Sequence, residues 1–480
     1  MNILRKYKLP EGFFLGAAAS AWQTEGWSGK KDGQDSYMDL WYKETPELWH
    51  EGYGPTVATD FYNRYKEDVK LMKEVGLEAY RTSIDWSRFL TNYETIEVNE
   101  EAADYYNKLI DEMINNGIEP MLCLEHYELP AELFKKYGGW GSKKVVELYI
   151  KYAEEVFKRY SHKVKKWFTF NEPIVIQTRV FLDSLRYPFI QDTKIAMQWN
   201  YNKILASAGA IKVFKEGGHS KDGGEIGIIL NPDVCYPRSS APHDKEAAEK
   251  FDLFFNRIFL DPSVKGTIPE ELIDILKENN CCFEYTEEEL KIIKENTVDI
   301  LGINLYAPTR VKARENAWNP RTPFHPAYYY DKYELQGRKM NPYRGWEIYP
   351  KLMYDFSMRM KEEYGNIPWF IAENGMGVEK EDLNKNSEGI IQDDYRIEFI
   401  SEHLKWLLKA VEEGANCRGY MLWAFTDNVS PQNAFKNRYG LVEIDLKDNR
   451  NRRIKKSGHW YKKLSDSREL EATDFTFEYK

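Results

Sequence analysis

Cysteine is scarce in this chain. Five residues in 480 (Cys123, Cys235, Cys281, Cys282 and Cys417), sparse and odd in number, make no disulfide framework and suit a reducing compartment. Long apolar runs are absent as well: no segment approaches the ~18 uninterrupted apolar residues of a membrane-spanning helix. The stretch from Met1 to Gly12 has basic residues but no apolar segment of signal-peptide length behind them, so the expected location is the cytoplasm, with no membrane partner. Basic residues are outnumbered, 67 Lys and Arg against 77 Asp and Glu for a net charge of −10. A chain so charged repels a polyphosphate, which argues against nucleic acid and leaves a small molecule as the partner.

Missing motifs narrow the chemistry further. Neither GxGxxG nor GxxxxGK[ST] occurs, so no glycine-rich loop is present to cradle a nucleotide. The eight His are scattered, and neither HExxH nor a Cys/His cluster of zinc spacing appears; no metal site and no cofactor are expected. No Gly-x-Ser-x-Gly elbow offers a serine nucleophile. Asn428-Val429-Ser430 spells a glycosylation sequon, which has no meaning for a cytoplasmic chain.

What the chain does have is the composition of a globular protein, 42% hydrophobic and 30% charged, with length enough for a large core. Eight short apolar runs, rich in β-branched and aromatic residues, recur along it: 13–20, 79–84, 119–126, 166–173, 225–232, 298–306, 368–375 and 418–425. Between them lie stretches with helical period, such as Phe61, Tyr65, Val69 and Met72, or Val145, Leu148, Tyr152 and Val156. Continuous apolar strands alternating with amphipathic helices imply a parallel sheet covered by helices. Eight units without a composition break predict a single (β/α)8 TIM barrel over residues 1–480, with segments 217–224 and 313–344 as loops. A doubly wound open sheet is the competing architecture, and it usually carries the phosphate loop that is missing here.

In such a barrel, reacting groups sit where the strands run out into the following loops. Two runs end on a glutamate: Trp167-Phe168-Thr169-Phe170-Asn171-Glu172-Pro173 and Trp369-Phe370-Ile371-Ala372-Glu373-Asn374-Gly375. A lone glutamate is ordinarily a solvated surface charge. At the end of a buried strand it must instead find a partner or shift its pKa. Two carboxyls on one barrel face are what glycoside hydrolysis needs, one protonated to donate to the leaving oxygen and one ionised to attack the anomeric carbon.

These motifs, WFTFNEP and IAENG, resemble the acid/base and nucleophile motifs of glycoside hydrolase family 1, retaining β-glycosidases on a (β/α)8 barrel, and the likeness runs nearly end to end. The resemblance implies Glu172 as general acid/base and Glu373 as nucleophile, with carboxylates roughly 5–5.5 Å apart. It implies further that the negative Glu373 keeps the proton on Glu172 by raising its pKa. Arg81 matches the family arginine beside the nucleophile, and Tyr306 the tyrosine that hydrogen-bonds it; Leu305 stands where the family usually has tyrosine. Gln23, His126, Asn171 and Asn304 match positions that bind the sugar, and Trp346 and Trp423 match tryptophans of the cleft, where an indole can pack on the C–H face of a pyranose.

The segment 427–440 addresses the choice of sugar. Family members that cleave unmodified glucosides usually have Glu-Trp where Ser430-Pro431 stands, and a carboxylate there would repel a 6-phosphate. The branch acting on 6-phosphoglycosides resembles this chain in its serine, followed by a lysine and a tyrosine. Ser430, Lys436 and Tyr439 are accordingly the expected phosphate-binding residues, Lys436 standing one position early with Asn437 in the lysine's place. Pro431, where some phospho-galactosidases have tryptophan, leans toward glucose. The resemblance thus implies a cofactor-free 6-phospho-β-glucosidase whose partner is a phosphorylated disaccharide or aryl glycoside. The alternatives are a 6-phospho-β-galactosidase, an unphosphorylated β-glucosidase and, more remotely, a non-catalytic sugar-binding barrel.

Overall fold

The computed structural model describes residues 4–475; the first three residues of the amino-terminal stretch considered above lie outside them. Eight strands form a closed parallel barrel: β1 (Phe14–Ala18), β2 (Ala79–Ser83), β3 (Glu119–Cys123), β4 (Lys166–Asn171), β5 (Glu225–Leu230), β6 (Ile300–Asn304), β7 (Trp369–Asn374) and β8 (Cys417–Trp423). Seven fall within one of the eight apolar runs and β8 begins one residue before its own; each pairs with its neighbour in sequence, β8 closing on β1 through Gly419↔Phe14 to Trp423↔Ala18. The open-sheet alternative is thereby set aside.

The helices follow from the periodicity. In Lys143–Tyr160, Ser142 caps the amino end by accepting from Lys144 N at 3.2 Å, and Val145, Leu148, Tyr149, Tyr152 and Val156 are all buried on one face. Each such side chain contributes roughly 1.5–3 kcal/mol when removed from water, more than the helix's intrinsic propensity could supply. Phe61–Glu74 likewise turns Phe61, Val69 and Met72 inward.

Inside the barrel, Ala79, Met121, Cys123, Phe168, Ile229, Ile300, Phe370, Ala372 and Met421 form a buried apolar plug. Gly227 is needed for β5 to approach β6, since a Cβ at that position would stand 1.9 Å from the Ile300 carbonyl oxygen. The predicted loop 313–344 is largely irregular, but it lends Asp331–Lys332 to a small three-stranded sheet with Cys235–Pro237 and Thr309–Lys312 that the sequence pattern does not reveal. At the chain's ends, Leu4–Lys8 pairs antiparallel with Glu469–Thr473.

Candidate active site

The carboxyl ends of β4, β6 and β7 all depart from regular pairing, with register shifts at Phe168/Asn171, Ile303/Asn304 and Ile371/Asn374. Such irregularities at a barrel rim re-aim side chains, and here they affect the segments that carry Asn171, Glu172, Asn304 and Glu373. Glu172 itself is left-handed (φ 46°, ψ 55°) and caps the short helix Pro173–Gln177, whose first position is taken by proline. A non-glycine residue held there stores about 1–3 kcal/mol, and it persists because Glu172 N is fixed to the Ile229 carbonyl at 2.9 Å. The carboxylate accepts from Tyr127 Oη at 2.8 Å and from Asn304 Nδ2 at 2.9 Å.

Glu373 is buried and differently held. Arg81, wholly buried on β2, forms an ion pair with Oε1, and Tyr306 Oη donates to Oε2 at 2.7 Å. Burial pushes the Glu373 pKa up to about 7, with the Glu172 charge adding to the rise and Arg81 and Tyr306 opposing it. Glu373 is the more deeply enclosed of the two carboxyls.

The end of β6 serves both acids: Asn304 lies across the ladder from Glu373 and bonds Glu172, while Tyr306, two residues on, bonds Glu373. Leu305 between them is buried, its N–H donating to the Glu373 carbonyl at 2.9 Å. His126 stands between Arg81, 3.0 Å from Nδ1, and Asn171, 3.1 Å from Nε2. A guanidinium can only donate, so Nδ1 accepts and the ring is neutral, consistent with burial and Arg81 holding its pKa well below the usual histidine range. Gln23 is pinned by Ser20, 2.7 Å, and by its own bond to the Val429 carbonyl, 2.6 Å, which ties β1's end to the loop after β8.

These groups surround a cavity of about 670 Å³ lined by Gln23, His126, Tyr127, Glu172, Asn304, Tyr306, Trp346, Glu373, Trp423, Ser430 and Tyr439, with Arg81 and Asn171 immediately behind. Trp423 lies 6.1 Å from the His126 ring and nearly parallel to it, and Trp346 packs on Tyr306 at 5.3 Å. Lys436 is the exception. Its side chain is exposed, pairs with Glu379 at 3.3 Å and does not line the cavity, while Asn437 is the buried neighbour. The loop has no period to fix which of two adjacent residues faces inward, and Asn433 and Ser430 set the turn by bonding Lys436 N and Ala434 N.

Several residues of the site escaped the sequence reading. Tyr127 and Glu128 adjoin His126 in the segment read only for its histidine; buried Glu128 accepts from Ser83 Oγ at 2.5 Å and from His126 N. Arg186 and Arg344 also line the cavity, each from a loop without a motif.

A closed barrel with two unlike carboxyls above its plug, one gripped by arginine and one by neutral donors, and tryptophan faces beside them, has the equipment to cleave a glycosidic bond by acid and nucleophile. The chain is a glycoside hydrolase. It belongs to glycosyl hydrolase family 1, whose family model matches residues 5–470. It is 50% identical over 461 residues to the 6-phospho-beta-glucosidase GmuD of Bacillus subtilis, covering 96% of this chain and 98% of that protein. It is 36% identical to the aryl-phospho-beta-D-glucosidase BglH of the same organism, with 95% and 97% covered. Among solved structures, the family 1 β-glucosidase of Thermotoga maritima superposes with a TM-score of 0.87 at 31% identity, covering 97% of this chain and 99% of that one.

Proposed function

We propose that this chain hydrolyses 6-phospho-β-D-glucosides with retention of configuration. The observation that carries the phosphate preference is the pairing of Ser430 with Tyr439 on the cavity wall, two hydroxyl donors at a position where a carboxylate would repel the substrate. The 50% identity to GmuD, named a 6-phospho-beta-glucosidase, supports the same substrate.

In this reading Glu373, oriented by Arg81 and Tyr306, attacks the anomeric carbon while Glu172 donates its proton to the leaving oxygen. Esterification of Glu373 removes its charge, and Glu172 then takes a proton from water as the glycosyl-enzyme is hydrolysed. Gln23, His126, Asn171, Asn304, Trp346 and Trp423 hold the glucosyl ring. A sugar carrying a dianionic phosphate does not cross a bilayer unaided, which supports a cytoplasmic location for the enzyme. Among the described residues no helix is long and apolar enough to cross a membrane.

The test is kcat/KM for p-nitrophenyl 6-phospho-β-glucoside against p-nitrophenyl β-glucoside, with the two galactosides alongside. Strong preference for the phosphoglucoside is expected. Equal or better cleavage of the neutral glucoside would refute the phosphate reading, preference for the phosphogalactoside would reverse the sugar, and no turnover at all would point to a binding barrel.

A further inference from the structure

The displacement of Lys436 from the cavity leaves a phosphate dianion with two hydroxyls and no cation from its own loop. A different segment supplies one. Arg344 sits in the turn of a short hairpin, Met340–Asn341 against Trp346–Glu347. The turn is fixed by Gly345 N to the Asn341 carbonyl, 2.9 Å, and Tyr343 N to Asn341 Oδ1, 3.1 Å. Its base is clamped by Glu347, which accepts two bonds from Arg310 at 2.7 and 2.8 Å.

Asn341 Nδ2 then donates to the Gly377 carbonyl at 3.0 Å. Gly377 is the surface against which the Tyr439 ring lies, so close that a Cβ at 377 would stand 2.4 Å from the ring. The hairpin is thus tied to the same backbone that seats Tyr439. The Arg344 guanidinium stacks 4.5 Å above the Trp346 ring and faces the cavity shared with Ser430 and Tyr439. Its charge reaches Tyr439, opposing the rise that burial imposes on that phenol's pKa.

Of the other cations nearby, three are paired elsewhere: Arg310 is held by Glu347, Arg179 by Asp183 and Lys436 by Glu379. Two line the cavity without an ion pair among the described residues: Arg186, on the Tyr127 and Glu172 side, and Lys332, which is exposed and lies toward Asp233. Among the described residues Arg344 has an aromatic neighbour but no ion-pair partner, and its Nε is buried without a hydrogen bond. A guanidinium so placed keeps donors free for an incoming anion.

We propose that Arg344 is the specificity-determining cation of this chain, binding the substrate's 6-phosphate together with the Ser430 and Tyr439 hydroxyls. The inference rests on the phosphoglucoside reading above. A guanidinium presents a fork that matches two phosphate oxygens, whereas a lysine offers a point charge. The stacking on Trp346 holds that fork in a fixed plane beside the glucosyl ring.

The experiment compares kcat/KM on the phosphorylated and neutral p-nitrophenyl glucosides for the wild type, Arg344→Gln, Arg344→Lys and Lys436→Gln. The preference ratio is expected to fall about 30- to 1,000-fold in Arg344→Gln. It should fall roughly tenfold in Arg344→Lys, the worth of one charged hydrogen bond. Lys436→Gln should shift it less than about threefold, as befits an exposed pair. Glucose 6-phosphate should lose potency as a competitive inhibitor in step with the ratio.

An unchanged ratio in both Arg344 variants, or a loss carried by Lys436→Gln instead, would overturn the assignment while leaving the substrate reading intact. A wild type without preference for the phosphoglucoside sinks the substrate reading itself, and this inference with it. If Arg344→Gln does not fold, Arg344→Lys, which keeps the charge, decides by the same ratio.

Discussion

Glu373 is pulled in opposite directions: enclosure in the barrel mouth favours its neutral form, and Arg81 with Tyr306 favours the anion. Enclosure prevails, and the consequence for stability has a definite sign. A carboxyl whose folded pKa is raised from 4.5 to about 7 contributes stability that is fully present below about 4.5 and lost as pH rises through 7. Relative to Glu373→Gln, which carries no titrating proton, the wild type is expected to lose on the order of 3 kcal/mol between pH 4 and pH 8. Denaturant midpoints of the two proteins across that range check it, and a difference that stays constant with pH would refute the burial argument. The same variant should lose turnover by about 10⁴-fold or more if Glu373 is the nucleophile. Glu172→Gln should slow substrates with poor leaving groups most.

Strands were the most legible elements, because a strand covered on both faces must be apolar nearly throughout, and β1 to β8 read that way. Their ends were less so. The register shifts that turn Asn171, Asn304 and Glu373 leave no trace in the residue types, since a bulge is a matter of pairing rather than of composition. The two glutamates could still be found by their place after buried runs, whereas Arg344 lies in a long polar segment whose path depends on contacts with Gly377 and Arg310, distant in sequence. Lys436 and Asn437 show the same limit within a single turn. One packing constraint of the strands invites a direct check: Gly227→Ala forces a methyl into the Ile300 carbonyl and is expected to cost about 3 kcal/mol or more, read as a lowered denaturant midpoint. A midpoint equal to wild type would mean that β5 and β6 can separate without penalty.

At the scale of the molecule, we propose that residues 1–480 behave as one domain. The loop bearing Ser430 and Tyr439 is bound to the frame by buried charges: Lys455 bridges Asp427 at 2.8 Å and Glu381 at 2.5 Å, and Arg396 joins Glu381 to Asp393. With the two terminal strands paired to each other as well, heat is expected to unfold the chain in a single calorimetric transition, and two resolved peaks would contradict the proposal. The end of β6 carries a longer consequence. Asn304 and Tyr306 each steady one of the two acids, so the gap between the acids is gauged by the two-residue step from the last residue of β6 into the segment that follows it. That gap decides whether a glycosidase retains or inverts the anomeric centre. Descendants of this chain can exchange the loop after β8 that chooses the sugar and leave the handedness of the product inherited, because Asn304 and Tyr306, which steady the two acids, stand at the end of β6 and not in that loop.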